Sequence, residues 1–192
     1  MNIEGFEIRP LTPELWDDFE TVLGKSGISG CWCTYWLRPS SKVFGEGSKG
    51  GSRANNKNVF RKFLKKGPPG LLAYDRDNPI AWCRVTPRRS LPGLKTSRHF
   101  KTELSIEDVW SLSCFVIRRS HRGHGLTTVL TKAAIRFARD QGGRFLEVYP
   151  TDTVDEKHPS VIYTGIASTF ERLGFKEVQR RSPEKPMMRL TL

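Results

Sequence analysis

Residues 109–141 constrain the chain more than any other stretch, because an apolar run, a glycine-containing basic turn and an amphipathic segment follow one another without a break. From Trp110 to Ile117 small and large side chains alternate, which predicts a mostly buried strand. Further on, Leu126, Val129, Leu130, Ala133, Ala134, Phe137 and Ala138 recur at helical spacing. Thr128, Lys132, Arg136 and Arg139 fall on the other faces, so the segment predicts an amphipathic helix. Between the two lies His121-Arg122-Gly123-His124-Gly125-Leu126. The first turn of a helix leaves backbone N–H groups without internal partners and carries partial positive charge. Glycine lets a ligand approach the backbone closely, and Arg122 adds a planar, permanently charged donor. A pyrophosphate fits such a place. A tight strand-to-helix turn with solvated charges has the same local sequence, so the motif needs its context.

That context excludes two other phosphate loops. No Gly-Lys-Ser/Thr follows the glycines, as a nucleoside-triphosphate loop requires. The third glycine and the ribose-binding acid of a dinucleotide fold are missing as well. A chain of 192 residues with 37% hydrophobic content can bury a real core, and nothing in its composition divides it, so residues 1–192 are expected to form a single domain. No stretch is apolar and long enough for a membrane span, and the N-terminus lacks a signal-like segment. Cys31, Cys33, Cys83 and Cys114 are scattered rather than framed as disulfides, which fits a reduced cytoplasm. The net charge of +12 favours anionic ligands or partners.

In order, the pattern reads as a strand over residues 6–9, then a helix capped by Thr12 with Pro13 in its first turn and ended by Gly24. Residues 40–52 read as a Gly- and Ser-rich loop, and a second helix follows over residues 54–66. Strands over residues 71–74 and 80–85 form a hairpin, and an acid-free basic loop runs from Pro87 to Lys101. After the central strand and helix come a strand at residues 145–149, a polar loop at 152–160, and a short helix through Ile166, Phe170 and Leu173. Two closing strands cover residues 175–181 and 187–192.

Arg122-Gly123-His124-Gly125-Leu126-Thr127 resembles the Arg/Gln-x-x-Gly-x-Gly/Ala signature of the GCN5-related N-acetyltransferases (GNAT), with Thr127 departing at the last position. Phe170-Glu171-Arg172-Leu173-Gly174-Phe175 resembles that family's Tyr-x-x-x-Gly-Phe. The segment Cys31-Trp32-Cys33-Thr34-Tyr35-Trp36, with Gly67-Pro68-Pro69-Gly70 and Pro186 to Arg189, is similar to one in a bacterial branch of the family. The resemblance implies an α/β, GNAT-like single domain, with a mixed sheet of about seven strands and about four flanking helices. It implies acetyl-coenzyme A as co-substrate: pyrophosphate at Arg122, Gly123, His124, Gly125, Leu126 and Thr127, pantetheine and thioester carbonyl along Phe115, Val116 and Ile117, and Phe170 at the family's tyrosine position. His121 is expected as a phosphate neighbour.

Acetyl transfer requires a neutral amine, although an alkylammonium has a pKa of about 10.4, and a proton for the departing thiolate. The family's usual glutamate falls on Ser111 and its usual tyrosine on Phe170, so both common catalytic side chains are replaced. The available substitutes are Tyr149 and Glu147, which period two places on one face, and Tyr163, with Ser111 left to hold a water. Trp32, Cys33, Tyr35 and Trp36 are candidates for the acceptor pocket or, equally, for core. Cys31-x-Cys33 has the wrong spacing for a zinc knuckle, so no metal is expected. The sequence names no base for a nucleophilic cysteine. The expected activity is direct acetylation, in a ternary complex, of an amine on a small molecule or peptide. The alternatives are an enzyme acting on aminoacyl-tRNA or another large anionic partner, and a non-catalytic module that binds the coenzyme.

Overall fold

The computed structural model describes residues 1–25, 27–38, 53–152 and 163–192. The loop expected at residues 40–52, and all but the start of the one expected at 152–160, lie outside them. Eight strands form one sheet in the order β1-β2-β3-β4-β5-β6-β8-β7. They are β1 (Asn2–Ile3), β2 (Phe6–Pro10), β3 (Leu71–Asp75), β4 (Asn78–Pro87), β5 (Val109–Ile117), β6 (Phe145–Val148), β7 (Lys176–Arg180) and β8 (Pro186–Thr191). The helices are α1 (Trp16–Leu23), α2 (Arg53–Leu64), α3 (Pro92–Lys95), α4 (Leu126–Asp140) and α5 (Ala167–Glu171). Two of these elements exceed the expected set. β1 is a two-residue strand carried by its pairing with β2, and α3 is one turn inside the basic loop.

Period two in β4 divides the interior. Ala81, Cys83 and Val85 face a core shared with Val129, Leu130, Ala133 and Phe137 of α4. Trp82 points the other way, into a second core with Trp16 and Phe19 of α1 and Phe60 of α2. The Trp82 ring meets Phe19 edge-on at 4.9 Å, which places the large aromatic surfaces in the geometry their quadrupoles favour. Gly70, before β3, sits where a Cβ would lie 2.1 Å from the Cys83 carbonyl, so only glycine allows this entry into the sheet. Thr12 makes no side-chain capping bond. The expected helix starts instead as a short 3-10 turn over Pro13–Leu15, and Pro13 fixes the entry.

The pairing of β5 with β6 leaves an opening in the sheet. These are the parallel neighbours in an otherwise antiparallel sheet, and their register runs from Val109 opposite Phe145 to Leu112 opposite Val148. Beyond that point β6 ends while β5 continues to Ile117. Backbone groups of residues 113–116, and the side chains of Ser113, Cys114 and Val116, are thereby offered to whatever lies between the strands.

Candidate active site

At the end of β5 the chain makes a 3-10 turn over Arg119–His121 and enters α4 through two glycines. Gly123 and Gly125 have φ of +80° and +75°, and a Cβ built on either would meet no atom within 4 Å. The turn therefore needs glycine for its backbone, and the space before the helix end is open. Arg122 is exposed, and its Nε donates to the Ile117 carbonyl at 3.0 Å, which pins the guanidinium beside the turn. His124 is exposed, Thr127 is half-buried, and Leu126 is buried, so Leu126 faces the turn with its backbone alone. An open helix N-terminus, a pinned arginine and freely approachable glycines fit a pyrophosphate.

A cavity of about 860 Å³ occupies the opening between β5 and β6. Ser113, Cys114 and Val116 line one side and Tyr149, Pro150 and Thr151 the other. Cys33, Tyr35 and Trp36 form part of its wall, as the sequence allowed. Trp32 does not: it is buried in the second core, stacked on Trp16 at 6.1 Å, because a left-handed backbone at Trp32 turns the ring inward. Phe170 is also core, fully buried against Phe115 and Phe175, rather than a cavity residue. The Phe115 N–H donates to the Tyr163 carbonyl at 2.6 Å, so the segment after residue 162 crosses the opening and takes up that amide.

Glu147, Tyr149 and Ser111 come together in a buried polar network, and of the three Tyr149 reaches the cavity wall. The Glu147 side chain is wholly buried and accepts from Arg88 Nη1 at 2.6 Å, Arg189 Nη2 at 2.9 Å and Thr102 Oγ1 at 2.9 Å. The Tyr149 hydroxyl accepts from Arg88 Nη1 at 2.5 Å, lies 2.8 Å from Ser111 Oγ, and donates to Glu147 at 3.2 Å. Burial, more than the Glu147 charge, pushes the Tyr149 hydroxyl well above its ordinary range and keeps it protonated. Ser111 is fully enclosed, and its hydroxyl faces Tyr149. These three side chains fix β5 against β6 and β8. Tyr163 also lines the cavity but, unlike the buried Tyr149, is 38% exposed.

Sequence reasoning missed Arg88, Arg189, Arg84 and Cys114. Arg88 belongs to the acid-free basic loop, yet it is 4% exposed. Removing the carboxylate at its end leaves two guanidiniums facing an apolar hole. Glu147→Ala is therefore expected to cost about 3–5 kcal/mol, and a thermal melt should fall by roughly 6–20 °C. A melt within a degree or two of the unaltered chain contradicts the network.

The cavity mouth is basic. Arg98 and Lys185 are exposed at its rim, and no described lining residue is an aspartate or glutamate. His99, between them, titrates below its ordinary value, first through burial and then through Arg98 and Lys185. Among the described residues no group of three or more His, Cys, Asp or Glu side chains is placed to hold a metal, and no helix is long and apolar enough to cross a membrane.

The Acetyltransferase (GNAT) family matches residues 32–162. No curated protein sequence gives a significant match. An acetyltransferase from Thermus thermophilus is similar in structure, with a TM-score of 0.54 and 17% identity over 100% of both chains. A GNAT-family acetyltransferase from Streptococcus agalactiae aligns over 100% of this chain and 98% of its own, with a TM-score of 0.57 and 11% identity. PaiA N-acetyltransferase from Thermoplasma acidophilum, solved in complex with coenzyme A, aligns over 97% of this chain and 99% of its own, with a TM-score of 0.53 and 12% identity. At such identities the structures speak for the fold. The family match covers well over half of the sequence, and it falls on the strand, glycine turn and cavity just described: the chain belongs to the GNAT acetyltransferase family.

Proposed function

We propose that this protein transfers the acetyl group of acetyl-coenzyme A to an amine that also carries an anionic group, by direct attack within a ternary complex. The observation that carries the reading is the continuity of two sites. The open glycine turn at Gly123 and Gly125 ends the same strand whose unpaired part lines the cavity. A coenzyme with its pyrophosphate at the turn has its pantetheine arm directed along Val116 and Ile117 into the opening. The Phe115 amide is available to the thioester carbonyl only after it exchanges its bond with Tyr163. An oriented backbone donor there stabilises the oxyanion as charge develops. We assign the proton for the leaving thiolate to Tyr163, whose side chain lines the same cavity, since the Tyr149 hydroxyl is committed to Arg88, Ser111 and Glu147.

The basic mouth, free of carboxylates among the described residues, supports an anionic acceptor over a polyamine. Arg98 and Lys185 attract the anion, and a charged hydrogen bond contributes about 1.5–3 kcal/mol. A nucleic acid fits less well, because the basic run that favoured it contains the buried Arg88 and an inward-facing Phe100. The test is a matched pair of acceptors, an α-amino acid and its C-terminal amide, followed by release of the coenzyme thiol. The acid should show kcat/KM at least roughly tenfold higher, and Arg98→Gln with Lys185→Gln should remove the preference. Equal rates, or faster acetylation of a polyamine, contradict the anionic acceptor. Calorimetric titration with acetyl-coenzyme A tests the donor side separately.

A further inference from the structure

The Cys-Trp-Cys segment has no part in this scheme beyond lining a wall, yet among the described residues the non-glycine left-handed conformations concentrate around it. Ile28, Ser29, Trp32 and Cys33 all adopt φ between 47° and 54° without being glycine. Such conformations cost on the order of 1–2 kcal/mol each and persist where the surroundings over-determine them. Here they turn Trp32 into the core and set Cys33 into the cavity wall. Cys33 Sγ accepts a bond from Trp82 Nε1 at 3.2 Å and lies 3.7 Å from Cys114 Sγ.

Behind them sits Arg84, 1% exposed. One of its N–H groups donates to the Cys33 carbonyl, while Nε and Nη2 have no partner among the described residues. Its guanidinium packs near the rings of Phe63 and Phe60, at 5.0 and 5.8 Å. No carboxylate among the described residues pairs with it, and the ionisable side chains near it are those of Cys33, Cys114 and Cys31. A buried guanidinium without a counter-charge is strongly unfavourable. A thiolate at Cys33 supplies that charge, with Trp82 and the Cys114 thiol as its donors. In keeping with this, the Cys33 thiol titrates below its usual range, through the Cys114 bond first and then Arg84 and Trp82, against the effect of burial. Cys114 shifts upward and keeps its proton. One thiolate and one thiol thus face each other on the wall of an open cavity, an attacking and a resolving cysteine.

We infer that Cys33 and Cys114 form a hydroperoxide-reactive dithiol that closes to a disulfide across the acceptor cavity wall. The Cys33 thiolate attacks the terminal oxygen of a hydroperoxide. An S–O bond forms, the O–O bond breaks, and the alkoxide or hydroxide released takes a proton from water. Cys114 then attacks the Cys33 sulfenic acid. The S–S bond forms, the S–O bond breaks, and the hydroxyl leaves as water with the Cys114 proton. Two sulfurs together lose two electrons and the peroxide gains them. The sulfurs close from 3.7 Å to about 2.05 Å. Closure removes the thiolate that balances Arg84, so the disulfide form is the less stable one, which is the reverse of a structural disulfide.

The experiment treats the full chain with hydrogen peroxide, maps the peptides by mass spectrometry without reduction, and melts both forms. The expected results are a Cys33–Cys114 link, its reversal by dithiothreitol, and a lower melting temperature when oxidised. Cys31→Ala should keep the link. Cys114→Ala should let a 1,3-diketone trap sulfenic acid on Cys33, which keeps the test intact even where Cys33→Ala fails to fold. Linkage through Cys31, oxidation of Cys33 no faster than that of free glutathione, or an oxidised form as stable as the reduced one each overturns the inference. None of these readouts depends on acetyl-coenzyme A.

Discussion

Gly125→Asp should abolish measurable acetyl-coenzyme A binding while the protein stays folded. Gly125 is the residue before α4, with φ 75° and ψ 6°, a left-handed conformation that aspartate enters more readily than most residues. An added side chain meets no neighbour, and a carboxylate at a helix N-terminus is favourable to the helix. The fold therefore bears the backbone cost of one left-handed residue, about 1–2 kcal/mol, and no steric clash. Ligand binding suffers more, because a fixed negative charge then occupies the space proposed for the pyrophosphate. At about 4 Å and an effective dielectric near 20 the repulsion is about 4 kcal/mol, roughly a thousandfold in affinity. Gly125→Ala separates the effects, since it brings the backbone cost without the charge and should bind far better than Gly125→Asp. Calorimetry finding the aspartate variant as tight as the unaltered chain removes the pyrophosphate from this turn.

Tyr163→Phe should lower kcat by about 10²–10⁴ with little change in coenzyme affinity. Tyr163 lines the cavity with 38% of its surface exposed, and its carbonyl already contacts the Phe115 amide beside which the thioester is proposed to lie. Tyr149→Phe provides the contrast. Its hydroxyl is enclosed by Arg88, Ser111 and Glu147, so its loss should appear in the melt, at about 1–3 kcal/mol for the unsatisfied partners, rather than in chemistry. Full activity in Tyr163→Phe, under conditions where chemistry limits turnover, excludes it as the acid. Loss of kcat in Tyr149→Phe at unchanged stability transfers the role back to the strand.

The sequence made the strand–turn–helix unit plain because its signals are local. Period-two alternation, helical spacing and two glycines all lie within residues 109–141, and β5 and α4 appear there with ends shifted by a residue. The polar network was legible only as an anomaly, a glutamate between Leu146 and Val148. Its partners Arg88 and Arg189 lie 59 and 42 residues away along the chain, and no local pattern announces such pairs. The same holds for Arg84, a charge inside the apolar strand β4 whose neighbour Cys33 is 51 residues distant. Trp32 was ambiguous for another reason. A left-handed backbone decides which way its ring points, and nothing in an aromatic side chain reveals that. Its neighbours Tyr35 and Trp36 escape the twist and reach the cavity.

The central claim is that this GNAT-family chain transfers acetyl groups rather than only holding the coenzyme. Incubation with isotopically labelled acetyl-coenzyme A and α-amino acids, followed by mass spectrometry of the small-molecule fraction, measures this directly. The account predicts a labelled N-acetyl amino acid formed over many turnovers and absent with Gly125→Asp. Stoichiometric coenzyme binding with no acetylated amine of any class would contradict it and leave a binding module.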